Sequence, residues 1–391
     1  MSKIVEDVSS LLKNKGNKKV VAQIAPAVRV SIGEYLGYEA GTNVIGELIG
    51  SLKQLGFDYV FDTNLGADLT VMEEANELVH RLKTNTLLPL FTTCCPSWYM
   101  FAERLFPELI PHLSTVKSPQ AILASVVKTY FAEKIQVQPS DIIHIVIAPC
   151  QMKKEEAKRP ELWANPGVPN IDYVLTTSEC VELFKLNNIY FKNIPEGAVG
   201  DIAPVADFDN PLGTSSGAGS IFGTTGGVME ATIRTAYFLL TGKDLEDFEL
   251  VDIRNTGLKR EGTIEFAGYK INIATVNSLA EMKPILEELK TTGKSKYQFI
   301  EVMNCPMGCI GGPGQWAKDP NILSKRREAL FLYDKQHKFR AAHLNDAVKQ
   351  LYNEFFGQIG SEKAHQIMHT NYQDRTKESA ENFSCKIDEN K

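Results

Sequence analysis

The sequence lacks the hallmarks of membrane, secreted and nucleic-acid-binding proteins. No apolar run approaches the roughly 18 residues that a membrane helix requires. The N-terminal MSKIVEDVSSLLKNKGNKK contains Glu6 and Asp7 and has no cleavable apolar core, so we expect a mature, cytoplasmic chain. The net charge is −6 and no basic stripe with interleaved aromatic residues occurs, which argues against a nucleic-acid partner.

Cysteine is scarce and unevenly placed. The 391 residues include 7 cysteines, and none of them precedes Cys94. The sequence therefore has no early C-x2-C-x2-C run, which excludes an accessory ferredoxin-type cluster in it. Irregular spacing in a chain of this length also argues against a disulfide-stabilised secreted scaffold. Reduced thiols that act as ligands or reactive groups are the better interpretation.

The alternation of apolar runs and helical patterns predicts the fold class. An apolar content of 43% is ordinary for a globular chain, and the length suffices for two lobes. Continuous β-branched runs between helices predict an α/β protein with twisted parallel or mixed sheets flanked by helices. The predicted strands are 20–26, 58–64, 87–95, 142–150, 173–177, 271–277 and 297–305. The predicted helices include 67–84, 118–135, 178–188, 227–242, 278–292, 324–337, 342–357 and 361–370.

Three short segments that lie far apart in the sequence hold five of the 7 cysteines. The segments are FTTCCPSW (91–98), APCQMKKEEAKRPE (148–161) and EVMNCPMGCIGGPGQ (301–315). Each begins near the end of a predicted strand, where open α/β sheets collect their ligands. Their positions therefore predict a metal centre that is built across two lobes.

Four thiolates are available for such a centre. Cys305 and Cys309 are spaced i, i+4, which would place both thiols on one face of a helical turn. Cys94 and Cys95 are adjacent at a strand end and should point in different directions, so one of them can be a ligand. With Cys150 these make four ligands, the number that a 4Fe–4S cube or a structural zinc ion needs. Zinc sites usually draw on paired C-x2-4-C segments, which favours the cube.

Two other features leave plainer interpretations open. Cys180 lies in the apolar helical stretch SECVELF and Cys385 in the polar tail, and neither receives a role. The glycine-rich segment GTSSGAGSIFGTTGGVMEA (213–231) has neither a P-loop nor a clean dinucleotide-binding pattern. It is either a flexible loop or a backbone that closely approaches a bulky group.

The three cysteine segments resemble the signature motifs of iron-only (FeFe) hydrogenases, TSCCPxW, MPCxxKxxE and ExMxCxxGCxxGxG. Other segments are similar to the same family, namely AQIAPAVRVSIGE, FDTNLGADLTVMEEANEL, LSTVKSPQ, SGAGSIFGTTGGVMEA and SEKAHQIMHTNYQDR. The resemblance covers about residues 19–376. It implies two α/β lobes with a metal cofactor in the cleft between them.

The resemblance implies an H-cluster, in which a 4Fe–4S cube shares a cysteine sulfur with a 2Fe site carrying CO, cyanide and an azadithiolate bridge. By motif position the cube ligands would be Cys95, Cys150, Cys305 and Cys309, and Cys309 would form the bridge. Lys153 would hydrogen-bond a cyanide, because an ammonium is a strong donor to an anion; a solvent-facing helix charge is the alternative. The pocket around the 2Fe site would be lined by Ala25, Pro26, Gln120, Ala148, Pro149, Phe222 and Met303.

The resemblance also implies a proton relay. Cys94, the neighbour of a cube ligand, would exchange protons with Glu74, and Ser114 would connect them to Glu77 and Arg81. The two glutamates and the arginine share one face of the predicted helix, because they follow one another at spacings of three and four residues. The residues alone favour a solvated Glu–Arg stripe, whereas the family match favours the relay.

Several positions depart from the family pattern. Ala148 stands where the second motif usually has Met, which removes a polarizable thioether and leaves a gap beside the 2Fe site. Thr93, Ser97, Pro313 and Trp316 also differ from the usual motif residues, and we expect only local adjustments there.

The resemblance predicts a ferredoxin hydrogenase that interconverts protons, electrons and H2. A hydrogen sensor of the same fold is the alternative, which Ala148 favours and the relay residues disfavour. An iron–sulfur assembly protein is a third reading, disfavoured by the intact second motif and the lack of an N-terminal cysteine cluster. Electrons would enter at the cube from a ferredoxin, for which Lys325, Arg326 and Arg327 are a candidate docking patch. Dedicated maturation proteins would supply the 2Fe site.

The predicted organisation has four parts. Residues 1–18 form an N-terminal extension, and residues 19–321 form the H-cluster domain in two lobes. Residues 322–376 form a helical segment similar to the small subunit of the family, and residues 377–391 form a disordered tail.

Overall fold

The computed structural model describes residues 2–191, 201–202, 204–245, 249–255, 257–316 and 319–377. Within these residues, two four-stranded sheets and their covering helices form the α/β architecture, so the predicted fold class is confirmed. No helix in this part of the chain combines the length and the apolar character that crossing a bilayer would require. Cys385 and residues 378–391 of the predicted tail lie outside the described residues.

The described strands build one parallel and one mixed sheet. The strands are Lys19–Ile24 (β1), Tyr59–Asp62 (β2), Leu90–Phe91 (β3), Ile142–Ala148 (β4), Tyr173–Thr176 (β5), Ile189–Tyr190 (β6), Asp201–Ile202 (β7), Lys259–Phe266 (β8), Tyr269–Asn277 (β9) and Phe299–Met303 (β10). The first sheet has the order β2-β1-β4-β5 and is parallel throughout. The second has the order β3-β10-β9-β8, and its β8–β9 pair is antiparallel. Strands β6 and β7 form a separate short parallel pair.

Helices cover both sheets. The helices are Lys3–Lys13 (α1), Ile45–Gln54 (α2), Thr63–Thr84 (α3), Pro96–Leu105 (α4), Pro119–Val126 (α5), Ala132–Lys134 (α6), Met152–Ala157 (α7), Thr177–Leu186 (α8), Gly217–Ile221 (α9), Gly227–Thr241 (α10), Val251–Arg254 (α11), Leu279–Thr292 (α12), Pro320–Gln336 (α13), Asp346–Leu351 (α14) and Glu362–Met368 (α15). A π-helical stretch, Val127–Phe131, joins α5 to α6. Another, Tyr352–Phe356, extends α14, so the predicted helix 342–357 is divided into shorter pieces.

Two elements differ from the sequence-based expectation for local reasons. The predicted strand 87–95 is reduced to β3, because the chain turns away once Thr93 Oγ1 donates to the carbonyl oxygens of Ser114 and Val116. Strand β8 was not predicted, because it is an edge strand with mostly exposed polar side chains and a weak hydrophobic pattern. The predicted N-terminal extension contains helix α1, whose Val5 and Val8 are fully buried in the core.

Helix α3 lies at the centre of the molecule and packs against α5, α9 and α10. Asp62 begins this helix, since its side chain accepts a hydrogen bond from Asn64 N at 3.0 Å. The same carboxylate forms a buried ion pair with Arg29 at 2.6 Å. Helix α3 is buried on nearly all sides over its first three turns, so its polar side chains face other polar groups inside the protein.

The contact between α3 and α5 gives a test of this packing. A Cβ atom on Gly66 would lie 2.2 Å from Pro119 O, so Gly66→Ala forces the two helices apart. We expect the free energy of unfolding to fall by about 1–3 kcal/mol, although alanine is the better helix former. Chemical denaturation of Gly66→Ala and of Lys83→Ala, an exposed change on the same helix, measures this. Equal stability of the two variants would contradict the proposed contact.

Candidate metal centre

A cavity lies where the carboxyl ends of strands from both sheets converge. Ala25 and Pro26 follow β1, Pro149 and Cys150 follow β4, and Met303 ends β10. The cavity, called the cofactor cavity below, has a volume of about 60 Å³. Its lining consists of Ala25, Pro26, Ala27, Thr63, Ala67, Cys94, Pro119, Gln120, Val146, Ala148, Pro149, Cys150, Lys153, Phe222, Met303 and Cys309. All the residues predicted to form a cofactor pocket are therefore brought together.

Three of the predicted cube ligands are close enough for their thiols to influence one another. Burial, and after it the thiols of Cys150 and Cys95, raise the pKa of Cys309 to about 12. Burial likewise raises the pKa of Cys150 to about 11, with a contribution from Cys95. Thiolates at these positions would repel one another, and a cationic metal cluster would remove that cost.

The backbone supplies hydrogen bonds at two of these thiols. Burial raises the pKa of Cys95, while backbone N–H groups of Asn304, Ser97 and Trp98 act in the opposite direction. Cys95 stands at the N-cap of α4, so the first turn of that helix provides two of these donors. Cys150 has comparable partners in the N–H groups that begin α7. Such donors favour the thiolate form that an iron–sulfur cluster binds.

The prediction that Cys305 and Cys309 share a helical turn is wrong. The segment between them is a tight turn, with positive φ angles of 57° at Met307 and 98° at Gly308. A Cβ atom on Gly308 would lie 2.6 Å from Thr225 N, so the turn fits closely against the glycine-rich segment. The carbonyl oxygen of Cys305 accepts from Gly308 N at 3.0 Å and from the side chain of Asn277. Cys305 is half-buried and, like Cys95, is not among the residues that line the cofactor cavity.

Glycines hold the third cysteine segment against the second. Gly314 N donates to Pro149 O at 2.8 Å, and a Cβ atom on Gly312 would lie 2.3 Å from the same oxygen. A Cβ atom on Gly314 would also meet Thr176 Cβ at 2.8 Å. Only backbones without side chains can approach this closely, and the approach keeps Cys150 beside Cys309.

The glycine-rich segment 213–231 is buried and partly helical, so its interpretation as a flexible loop is wrong. Its close backbone approach is to the protein itself. A Cβ atom on Gly219 would lie 2.5 Å from Asn64 O, and one on Gly227 would lie 1.8 Å from Ile221 O.

The donor set and the cavity fit a bulky metal cofactor. Gln120 Oε1 and Thr63 Oγ1 are buried without hydrogen-bond partners, and both residues line the cofactor cavity. Across the described residues, no three His, Cys, Asp or Glu side chains converge as a single-ion site requires. A four-iron cube takes four thiolates, the number that the three cysteine segments can supply.

Lys153 is held by protein acceptors. Its Nζ donates to Glu156 Oε2 at 2.7 Å, to Ser118 Oγ at 2.9 Å and to Cys94 O at 3.2 Å. Burial acts to lower the pKa of Lys153, but Glu156 outweighs this effect and the pKa is raised. The lysine therefore points into the site as a cation, and its alternative as a solvent-facing helix charge is wrong.

Sequence reasoning missed Glu156, which organises this corner of the site. Its buried carboxylate accepts from Tyr99 Oη at 3.0 Å, Ser118 Oγ at 3.0 Å and Gln120 Nε2 at 3.2 Å, besides Lys153. The i, i+3 spacing of Lys153 and Glu156 in CQMKKEE was the available signal.

The predicted relay path is hydrogen-bonded among Glu74, Ser114, Glu77 and Arg81, whereas Cys94 and Glu74 interact through their charges. Ser114 Oγ donates to Glu77 Oε2 at 2.9 Å and also interacts with Glu74. Arg81 pairs with Glu77 at 2.6 Å and donates to the carbonyl oxygen of Leu113 at 3.0 Å. The Glu77 side chain is 15% exposed, so the path ends near the protein surface.

Burial sets the proton affinity at the inner end of this path. Burial, and after it the charge of Glu77, raise the pKa of Glu74 to about 8. Burial also raises the pKa of Cys94, followed by contributions from Glu301, Cys95 and Glu74. Glu301 was not predicted as a site residue; its buried carboxylate accepts from the backbone N–H of Gly226 and Met229 at 2.6 and 2.8 Å.

The predicted docking patch and the motif departures have mixed outcomes. Arg326 is fully buried, pairs with Glu34 and donates to Ile310 O at 2.7 Å, so its prediction as a surface charge is wrong.

Ala148 lines the cofactor cavity with a small side chain. Trp316 is 77% exposed and contacts the ring of Tyr35. Thr93 is buried, and nothing in the structure distinguishes Ser97 or Pro313. Cys180 is buried in the core on α8, far in sequence from the other thiols.

The raised pKa of Glu74 predicts a pH dependence of stability. The folded state keeps this proton up to about pH 8, whereas an unfolded glutamate releases it near its ordinary pKa of 4.5. The folded state therefore binds more protons between these values, and the free energy of unfolding falls as the pH rises through that window. Glu74→Gln should make the slope shallower, by up to about 1.4 kcal/mol per pH unit.

Denaturation curves at several pH values between about 5 and 8 measure this slope. Glu155→Gln, at an exposed carboxylate, is the control and should leave the slope unchanged. Asp68 and Glu301, whose pKa values burial raises to about 7, are present in both variants and cancel in the comparison. A Glu74→Gln protein with the slope of the unmodified chain would show that Glu74 is ionised in the fold.

Comparison with known proteins gives a consistent family. The iron only hydrogenase large subunit, C-terminal domain, matches residues 18–313, and the iron hydrogenase small subunit matches residues 320–375. The NADP-reducing hydrogenase subunit HndD of Solidesulfovibrio fructosivorans is 40% identical over 91% of this chain and 60% of that protein. An apo [FeFe]-hydrogenase HydA1 variant from Chlamydomonas reinhardtii has a TM-score of 0.80 and 38% identity, over 95% of this chain and 99% of that chain.

The similarity extends to a different functional class. The cytosolic Fe-S cluster assembly factor narfl of Danio rerio is 29% identical over 91% of this chain. The chain spans about 60% of the length of the first hydrogenase relative, so that protein's whole activity does not transfer with the similarity. The matched segments, the fold and the gathered cysteines together show that the chain belongs to the iron-only hydrogenase family.

Proposed function

We propose that this protein is an FeFe hydrogenase that catalyses the reversible reaction 2H⁺ + 2e⁻ ⇌ H2. One observation carries the proposal: a single apolar cavity is lined by Cys94, Cys150, Lys153 and Cys309 together with the predicted pocket residues. This arrangement provides cluster ligands, a buried cation and a titratable thiol at one place.

Cys95, Cys150, Cys305 and Cys309 would hold the 4Fe–4S cube of an H-cluster, with Cys309 as the bridge to its 2Fe site. When bound, the H-cluster supplies the redox metal site at which two protons and two electrons combine. Lys153 would place its ammonium beside the cyanide ligand, which requires it to exchange one of its three protein acceptors for that anion. Phe222, Met303 and the prolines of the lining would exclude water and so strengthen this interaction.

The chain's own side chains would move the protons. Cys94 lies in the cavity wall and would pass a proton to Glu74, whose pKa of about 8 lets it hold or release a proton near neutral pH. Ser114 contacts both glutamates and can rotate its hydroxyl to connect them. Arg81 would hold the Glu77 side chain in position at the outer end of the path, since the pair is 2.6 Å apart.

Electrons would come from a ferredoxin-type carrier to the cube, and maturation proteins would deliver the 2Fe site, in the cytoplasm. Lys325 is exposed and remains a candidate for docking, whereas the burial of Arg326 reduces the predicted patch. The domain boundaries predicted at residues 19, 322 and 377 also remain proposals.

A hydrogen sensor is the second candidate. Ala148 favours it, since a methyl group stands in the lining where the family motif usually places a thioether. A third candidate, an iron–sulfur assembly protein, would need only the cube. The presence of Cys94, Lys153 and the proposed relay residues favours a catalytic hydrogenase over a sensor or an assembly protein.

The relay predicts a separation between cluster assembly and turnover. Cys94→Ala should leave the metal content unchanged and lower H2 evolution by about a hundredfold or more, because general acid–base transfer contributes at least that much. Cys180→Ala, a change of the same kind in the distant core, should leave turnover unchanged. Metal analysis and H2 evolution of both variants provide the measurement. Undiminished turnover of Cys94→Ala would remove the relay.

The proposed function itself is tested on anaerobically purified protein that has been loaded with a synthetic 2Fe complex. We expect infrared bands of CO and cyanide, together with fast H2 evolution from reduced methyl viologen. Bands with feeble evolution would instead support the sensor. A reconstituted cube without bands would show that the pocket does not accept the 2Fe site, and would favour the assembly protein.

A further inference from the structure

A second cavity, which is lined by polar side chains, lies beside the turn that carries Cys305 and Cys309. Arg260, Arg327, Thr225, Asn277 and Met307 are among its lining residues, and we call it the arginine cleft. Its volume is about 80 Å³, whereas a cavity that holds a single water molecule needs only about 10–15 Å³ on the same measure. The cleft is therefore roomy enough for a polyatomic ion.

The arginine cleft is cationic, and carboxylates act on its arginines through charge and not through ion pairs. These are Glu301 for Arg260, and Glu328 and Glu230 for Arg327. Among the described residues, no carboxylate lies within ion-pair distance of Arg260 or Arg327, and none lines the cleft. Burial and the charge of Arg327 lower the pKa of Arg260, and Glu301 only partly opposes them. The two guanidinium groups thus repel each other across a cavity that contains no anion of the protein.

Three donor groups at this cleft are unsatisfied. Arg260 Nε, Arg327 Nη2 and Thr225 Oγ1 are buried without a hydrogen-bond partner. Arg260 is 7% exposed and Thr225 is 3% exposed, so bulk water does not readily serve them. Buried polar groups are satisfied in the great majority of proteins, and three orphans at one cavity indicate a missing acceptor.

Both arginines are held in place without acids. Arg260 Nη1 donates to the carbonyl oxygens of Ile253 and Asn255, the latter at 2.8 Å. The Arg327 guanidinium lies 4.9 Å from the centre of the Phe331 ring. Backbone carbonyls and a ring fix these side chains while leaving donors free, which is the preorganisation that oxyanion recognition uses.

From these observations we propose that the arginine cleft binds a small tetrahedral oxyanion such as inorganic phosphate. Arginine presents several N–H donors in a plane, and an oxyanion offers several acceptors at matching separations. A hydroxyl such as that of Thr225 is a further suitable donor. The charge of the two arginines alone would also attract chloride, which offers one acceptor atom where an oxyanion offers several oxygens.

The cleft is coupled to the metal centre through one residue. Asn277 Nδ2 donates to the carbonyl oxygens of Cys305 and Met303, and its Oδ1 accepts from Met307 N at 3.1 Å. A bound oxyanion would therefore lie against the turn between two of the proposed cube ligands, since Met307 of that turn lines the cleft.

Calorimetric titration of the full-length chain with inorganic phosphate, at constant ionic strength set with chloride, tests the proposal. We expect saturable binding at one site and at least about tenfold weaker binding by Arg327→Gln, since one charge-assisted hydrogen-bonded contact carries that much affinity. Lys325→Gln removes the same charge two residues away on α13 and should bind phosphate within about twofold of the unmodified chain.

Arg260→Lys provides a second variant, because it keeps the charge and loses the planar donor set. Arg260→Lys should also weaken phosphate binding. It is preferred to Arg260→Gln, because loss of the charged side chain could disturb the backbone around Ile253. Absence of saturable binding, or equal affinity in Arg327→Gln and the unmodified chain, would overturn the proposal. The proposal would also be overturned if chloride bound to the cleft as tightly as phosphate does. The measurement needs no metal cluster, so its result is independent of the proposed hydrogenase function.

Discussion

The contact between the glycines that follow Cys309 and the carbonyl of Pro149 is the constraint on which the metal centre depends. Cys150 follows β4, an inner strand of one sheet, whereas Cys305 and Cys309 follow β10 of the other. A hydrogen bond of 2.8 Å from Gly314 N to Pro149 O joins the two segments directly. Side chains at these glycines would separate the lobes by the thickness of a methyl group or more, and the thiols would separate with them.

The surroundings of the cofactor cavity contain more buried charge than a stable core normally accepts. Glu156 is balanced by Lys153 and several neutral donors, whereas Glu301 is balanced by backbone N–H groups at the start of α10. Burying each ion costs several kcal/mol, and good hydrogen bonds only offset this. The buried carboxylates Glu156 and Glu301 therefore lower the free energy of unfolding while they fix the charge around the cavity. Buried charges of this kind are typical of functional sites.

The parts of this structure that could be predicted are those that local patterns determine. Continuous apolar strands and the cysteines at their ends predicted the sheets and the cavity correctly. Cys305 and Cys309 were placed wrongly on a helix, because the spacing i, i+4 does not report the positive φ angles of Met307 and Gly308. Arg326 was placed at the surface, because its partner Glu34 lies 292 positions away in sequence and no local pattern indicates such a pair.

The C-terminal segment completes the environment of the proposed proton relay. His369, just beyond α15, contacts Glu73 Oε2 at 3.1 Å and Thr115 Oγ1 at 2.8 Å. The backbone N–H of Thr115 donates to Glu77 at 3.2 Å, and Glu73 neighbours Glu74 on α3. The C-terminal segment thus contacts both sides of the proposed path, the helix with the glutamates and the loop with Ser114. Because proton transfer requires hydrogen-bond distances at every step, this restraint would tie the C-terminal helices to the proposed relay as well as to stability.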